Sequence, residues 1–381
     1  MNVNWRIVTG VIGFILVAFF LWHFSFIVVW ILIAGVISLI GRPITGFICK
    51  IKIGKFSLGR NFGAAATIIL LIGIVTGLFL IFIPILFSEA QALSNIDYSE
   101  FETSIDKPLS DVEDFLIEYD LLDLGDSQSF EMYLWENIKG FLQNNQVTKI
   151  IGDSIGIVGN VLYAFLAVTF ITFFFLREPG LFKSIILAFI PDKYEDRVIK
   201  VLNRTKDTLT NYAFALLAQI SIIFTLMAIG LSIIGWLGIG NIPFRTAILI
   251  AAFAGIINLI PYLGPAMGFV FGSLIIFITN LDLIDSPAFY TLVVAVLIVY
   301  AITQGVDNFF TQPVLFGKSV HAHPLEIFLV IIIAGNLAGV TGMILGVPTY
   351  SFLRIFLNEF FSEYKLIQSL TASMNEGDKT S

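Results

Sequence analysis

The sequence predicts an all-α membrane protein: about six full transmembrane helices, two interrupted helical hairpins, re-entrant or fully spanning, and a helical extracytoplasmic insert. Three observations carry this prediction. Hydrophobic residues make up 57% of the 381-residue chain and charged residues only 13%, about half the share of a soluble domain. Mean hydropathy is +0.92. The apolar residues also lie in runs long enough to cross a bilayer, separated by segments of contrasting charge. A water-soluble globule of this length could not bury so much apolar surface, because a single core stops growing near this size. Soluble enzymes, secreted modules and disordered scaffolds are therefore excluded as classes.

Arg6 and the apolar run that follows resemble a secretory leader, but no small-residue cleavage site follows and the run continues to Ile40. Residues 7–40 number 34, about 51 Å as a helix against a hydrocarbon core of about 30 Å. They read as two spans joined by a tight turn at Trp22-His23. Further spans are expected over residues 62–87, 150–176, 209–237 and 288–305.

Loop charge orients these spans. Residues 41–60 read as a loop carrying Arg42, Lys50, Lys52, Lys55 and Arg60 with no acid, which places that loop and the amino terminus in the cytoplasm. Segment 89–149 then lies outside. It holds 14 of the 28 acidic residues against Lys107, Lys139 and Lys149, a local balance of −11. Residues 177–207 return inside, and their seven basic residues against five acids agree. Asp282 and Asp285 fall outside, and the carboxy terminus inside.

Within the insert, Leu109, Val112, Leu116, Tyr119 and Leu122 recur at helical spacing behind a capping-box pattern at Ser110 and Glu113. It reads either as a small helical cap solvated by its acids or as a vestibule that gathers cations. In the inner linker, Tyr194, Val198, Leu202, Thr205 and Leu209 form one stripe flanked by Arg197, Lys200, Arg204 and Lys206, as in a helix lying on the membrane surface. The organisation expected is amino-terminal spans over 1–88, the acidic domain over 89–149 and a span over 150–176. A linker over 177–207, a transport core over 208–357 and a polar cytoplasmic tail over 358–381 complete it.

The core holds only seven charged residues, and backbone breakers accumulate instead. Asn258, Pro261, Tyr262, Gly264 and Pro265 interrupt one apolar stretch. Gly335, Asn336, Gly339, Thr341 and Gly342, followed by Pro348, interrupt another. Proline removes a backbone donor and glycine admits conformations other residues resist. Freed backbone groups in hydrocarbon cost several kcal/mol each unless protein or water satisfies them. Such paired interruptions point to a transporter's binding site, with Gly264, Gly335, Gly339 and Gly342 as hinges. The alternative is two ordinary hairpins with tight turns.

Between them, Gln304, Asp307 and Asn308 fall on one face of a helix, and their oxygens and amides suit a cation, a proton or a hydroxyl-rich solute. Gln219 reads as a bond to a neighbouring helix. Arg354 reads as a snorkel to the interface, Glu326 as a helix-start charge, and His321 and His323 as surface residues. Cys49 is the only cysteine, so no intrachain disulfide can form and no metal or cofactor is implied. No nucleophile–base pair, paired carboxylates, zinc motif or phosphate-cradling loop suggests catalysis, and no basic patch interleaved with aromatics suggests nucleic acid.

The combination Asn258-Leu259-Ile260-Pro261-Tyr262-Leu263-Gly264-Pro265, Gln304-x-x-Asp307-Asn308, Pro313, Gly317, His323-Pro324-Leu325 and the glycine-rich Gly335 to Pro348 resembles the autoinducer-2 exporter family. Leu176-Arg177-Glu178 opening the inner linker fits as well. The similarity covers about residues 5–360. The family commonly carries Glu where this chain has Asp307, which keeps the carboxylate but shortens its reach. The resemblance implies a secondary-active permease of the bacterial inner membrane that forms homo-oligomers, pentamers among them. It also implies either export of a small solute such as autoinducer-2 or sodium(lithium)/proton antiport. A membrane protein that binds a partner through its acidic domain, without transport, is the reading outside that class.

Overall fold

In the computed structural model the residues described are 19, 23–53, 56–57, 59–94, 146–284, 286–313, 323–365 and 368. Nearly all of the expected first span, most of the acidic insert, Gly317 and His321 lie outside them. Among the described residues the fold is all-α but for a two-residue ladder noted below. Five helices among the described residues are long and apolar enough to cross a membrane, six if one bent pair counts as a span. This is a multi-pass membrane protein.

Helix α1 (Ser25–Lys50) continues ten residues past the expected end of its span. Arg42, Pro43 and Gly46 read as the start of a loop, but packing overrides them. Thr45 Oγ1 donates back to Gly41 O at 3.1 Å and lies 2.8 Å from Thr67 Oγ1. Lys50 closes the helix at its negative end. The first half of the expected basic loop is thus helix, followed by antiparallel β1 (Lys52–Ile53) and β2 (Phe56–Ser57). Helix α2 (Arg60–Ser94) and helix α3 (Gln146–Arg177) follow the hydropathy closely. Short α4 (Leu181–Leu187) turns 89° from residues 162–177.

Helix α5 (Asp192–Trp236) is a single helix of 45 residues. A separate helix on the membrane surface would need a bend before residue 209, and α5 has none. Val201, one position from the expected apolar stripe, is buried.

The chain divides into two compact units. In the first, which contains α1, the start of α2, the end of α3 and α5 up to Ala213, close approach is set by Gly41. A Cβ there would stand 3.1 Å from Leu176 Cδ2 and 3.2 Å from Thr67 Cγ2. Trp30 and Tyr163 meet edge to face at 5.2 Å.

The second unit is built on the rest of α5, α6 (Phe244–Ile257), α7 (Leu263–Ile278) and α8 (Pro287–Val306). Ile223, Met227, Leu231, Ile250, Ile275 and Val296 form its core. Helices α6 and α7 make the first hairpin. Gly264, Gly268 and Gly272 recur every fourth residue on α7 and face Ile257, Ala254 and Ile250 in descending order, so the two arms run antiparallel at backbone contact. Phe253 and Phe271 stack across them at 3.8 Å. Tyr300 Oη donates to Gly268 O at 3.0 Å and ties α8 to the pair.

The last helix, α9 (Pro324–Phe361), doubles back at Ala338 (φ −141°) and Gly339 (φ +58°). Tyr350 Oη donates to Glu326 Oε2 at 2.8 Å, although 24 residues of straight helix would hold them about 36 Å apart. A Cβ on Gly346 would lie 3.4 Å from Val330 Cγ1. Both interrupted stretches are therefore helical hairpins. The arm Pro324 to Leu337, α6 and α7 have 14, 14 and 16 residues, about 21–24 Å each and short of the hydrocarbon thickness.

Candidate ion-binding site

The hydrogen-bond requirement of one carboxylate organises the site. Asp307 is fully buried and lies immediately beyond α8, where the backbone widens into a π-helical turn over Asp307–Thr311. The Gln312 N–H reaches Asp307 O in the i→i+5 pattern of that turn. In a regular α-helix residues 307 and 312 would stand roughly 140° apart around the axis. The wider turn brings Gln312 beneath the carboxylate, so that its Nε2 donates to Asp307 Oδ2 at 3.0 Å and to Asn308 Oδ1 at 3.2 Å.

Two further carboxamides complete the cage. Gln219 Nε2, from the middle of α5, donates to Oδ1 at 2.9 Å and to Oδ2 at 3.1 Å. Asn258 Nδ2, at the carboxy-terminal end of α6, donates to Oδ2 at 3.4 Å. Both side chains are buried, at 5% and 4% exposure. Asp307 thus accepts four hydrogen bonds from three neutral amides, a pattern suited to an ionised carboxylate. Among the described residues no Lys, Arg or His forms an ion pair with it. The amide dipoles spread the charge but do not cancel it, and a buried charge without an opposite charge is costly.

The turn from α6 to α7 sets Asn258 in place. Tyr262 holds φ +67° and is the only non-glycine residue at positive φ among those described. Such a backbone stores strain. Its ring meets Phe328 edge to face at 5.5 Å. Gly264 is required here, since a Cβ would strike Ile257 O and stand 2.6 Å from Asn258 Cα. Pro261 and Pro265 flank the turn half-buried.

The structure brings Asp307, Asn258 and, through Gln312, Asn308 together. Of the expected trio, Asp307 is buried, Asn308 exposed and Gln304 half-buried. Asn336 and Thr341 are exposed on either side of the second hairpin's turn and bond nothing in the cage. Gly335, Gly342 and Gly346 are packing contacts, Gly335 against Met343 and Gly342 against Ala334, while Gly339 holds the turn itself. Arg354 differs from the expected interface snorkel. It is buried at 2% exposure, with its guanidinium 5.7 Å from the Tyr350 ring centre. His323 caps α9, its Nδ1 accepting from Leu325 N at 3.2 Å. Sequence reasoning missed Gln312, whose only signal is an i+5 offset from Asp307; the expected bond of Gln219 to a neighbouring helix is present, with Asp307 as its partner.

Comparison with known proteins agrees with this architecture. The chain is 27% identical over 343 residues to "Putative transport protein YueF" of Bacillus subtilis (strain 168), covering 88% of this chain and 85% of that protein. It is 27% identical over 277 residues to "Putative transport protein MJ1177" of Methanocaldococcus jannaschii, covering 72% and 75% of the two chains. The model of the family described as "AI-2E family transporter" matches residues 11–362. A buried carboxylate caged by amides at the end of a broken hairpin is thus set in a chain that belongs to the AI-2E family of transporters.

Proposed function

We propose that this protein is a secondary-active transporter that exports a small polar solute, autoinducer-2-like or another hydroxylated metabolite, with Asp307 as the group that couples export to protons or a monovalent cation. The observation that carries the reading is the Asp307 cage: a buried carboxylate with four amide hydrogen bonds and, among the described residues, no partner of opposite charge. A proton and a cation compete for the same oxygens, so occupancy by one excludes the other. Asn258 links the cage to the first hairpin, and Tyr262 extends that link to Phe328 at the base of the second. Three of the four hairpin arms are shorter than a bilayer, which suits re-entrant hairpins with broken ends that meet solute near the midplane. The reading places the protein in the bacterial inner membrane with both termini in the cytoplasm.

The same observation favours a second reading, sodium or lithium/proton antiport without a solute. The test uses purified protein in liposomes with an internal pH dye and a radiolabelled hydroxylated solute. Sodium, lithium or potassium is added outside, and the native chain is compared with Asp307→Asn. Solute efflux that follows an imposed ion gradient and is lost in the variant supports coupled export. Proton movement on cation addition alone supports antiport. Transport by Asp307→Asn at the native rate and pH dependence would remove Asp307 from the mechanism.

A further inference from the structure

A second site lies in the other unit, where three chain segments converge. Arg60 opens α2, and its Nε donates to Leu176 O, the penultimate carbonyl of α3, at 3.2 Å. Gly41 packs directly on Leu176, which brings its neighbour Arg42 to the same place. The Nε of Arg42 is buried and has no hydrogen-bond acceptor among the described residues. Arg42 and Arg60 thus approach Leu176 from α1 and α2 as two like charges. Neither is paired with a carboxylate among the described residues. Glu178, two residues beyond Leu176, is 3.4 Å from Arg177 Nε. Two adjacent cations, a stranded N–H donor and the positive end of α2 all favour an anion.

The depth of this point follows from α4. It leaves α3 at 89° and exposes Phe182 and Ile185, with Phe189 just beyond its end at 83% exposure. An apolar helix set at a right angle to a spanning helix lies along the membrane surface, so the adjacent end of α3 sits at headgroup level. We propose that Arg42 and Arg60 form a phosphate-binding site for an anionic lipid headgroup. Arg42 Nε–H supplies the donor that has no acceptor among the described residues, and the exposed Arg60 clamps the phosphate from solvent. The guanidinium fork matches two phosphate oxygens at once, which an ammonium cannot do.

The test is native mass spectrometry of the full-length protein in neutral detergent, titrated with phosphatidylglycerol, phosphatidylcholine or inorganic phosphate. The native protein is expected to retain phosphatidylglycerol in preference to phosphatidylcholine, whose choline the arginines repel. The apparent affinity should fall about tenfold or more in Arg42→Gln and in Arg60→Gln. Arg60→Lys, which keeps the charge but loses the fork, should fall between. Arg60 is exposed, so Arg60→Gln decides the matter if Arg42→Gln does not fold. Displacement of the lipid by millimolar inorganic phosphate would support the phosphate chemistry and assign its source to the free anion. Unchanged phosphatidylglycerol binding in Arg60→Gln would overturn the proposal, as would an equal loss in Arg197→Gln, a charge change on exposed α5.

Discussion

Replacing Asp307 separates the stability of the cage from its chemistry. In Asp307→Ala, Gln219, Asn258 and Gln312 each lose an acceptor. A stranded buried donor costs about 1–3 kcal/mol, whereas a polar bond within a membrane protein averages about 0.6 kcal/mol because groups find other partners. For three amides the loss is therefore about 2–9 kcal/mol, towards the upper end because Gln219 and Asn258 are buried. Asp307→Asn behaves differently. Its remaining oxygen can keep the Oδ2 position, which receives Gln312 and Asn258, and its new N–H₂ then faces Gln219. A half-turn of the Gln219 amide presents an oxygen to that N–H₂ and restores the contact. The loss should then stay within about 1–3 kcal/mol. Thermal melting of both variants in detergent checks this, with Asp307→Ala expected to melt well below Asp307→Asn. Equal melting of the two would refute the view that the amides are held by the carboxylate.

Other substitutions test the neighbouring geometry. Gln219→Leu removes two of the four bonds to Asp307 from a buried position, while Gln312 is half-buried and open to replacement by water. Initial transport rates in liposomes should therefore fall further in Gln219→Leu than in Gln312→Leu. Gly342→Ala drives a Cβ into Ala334 O and should destabilise by about 1–3 kcal/mol. Gly305→Ala meets nothing within 4 Å and should stabilise by up to about 1 kcal/mol, both read by melting in detergent. Tyr262→Gly relieves a strained backbone but forfeits the Phe328 contact, whereas Tyr262→Ala forfeits the contact and keeps the strain. The glycine variant should melt above the alanine variant by about 1 kcal/mol.

Much of the fold was legible because lipid leaves the chain few choices. Spans must satisfy their own backbone groups, so the run expected over residues 150–176 lies within α3 at Gln146–Arg177. The hairpins were legible from Pro261, Gly264, Pro265 and Gly339, residues that break helices for reasons local to themselves. Tertiary packing was not legible. The Thr45–Thr67 contact carries α1 through a stretch whose composition reads as loop. The glycine row at 264, 268 and 272 shows its purpose only once α6 lies against it. Asp307 and Asn258 stood out as polar groups in apolar surroundings. Gln312 did not, because an expectation built on 3.6 residues per turn puts it on the wrong side of the helix.

The π turn and the first hairpin meet in the weakest bond of the cage. Gln219 and Gln312 hold Asp307 at 2.9–3.1 Å, within the ordinary range, while Asn258 at 3.4 Å lies beyond it. The two strong donors come from α5 and from the segment of Asp307 itself. The weak one comes from the end of α6, one turn before the strained Tyr262. Loss of the Asn258 bond leaves Asp307 with both glutamines, so the first hairpin can shift at the cost of a single long bond while the carboxylate stays satisfied. Neutralising Asp307 removes the charge that draws Asn258 in. On the proposed reading, this is the step by which occupancy at the carboxylate would set the position of the hairpin and couple it to transport.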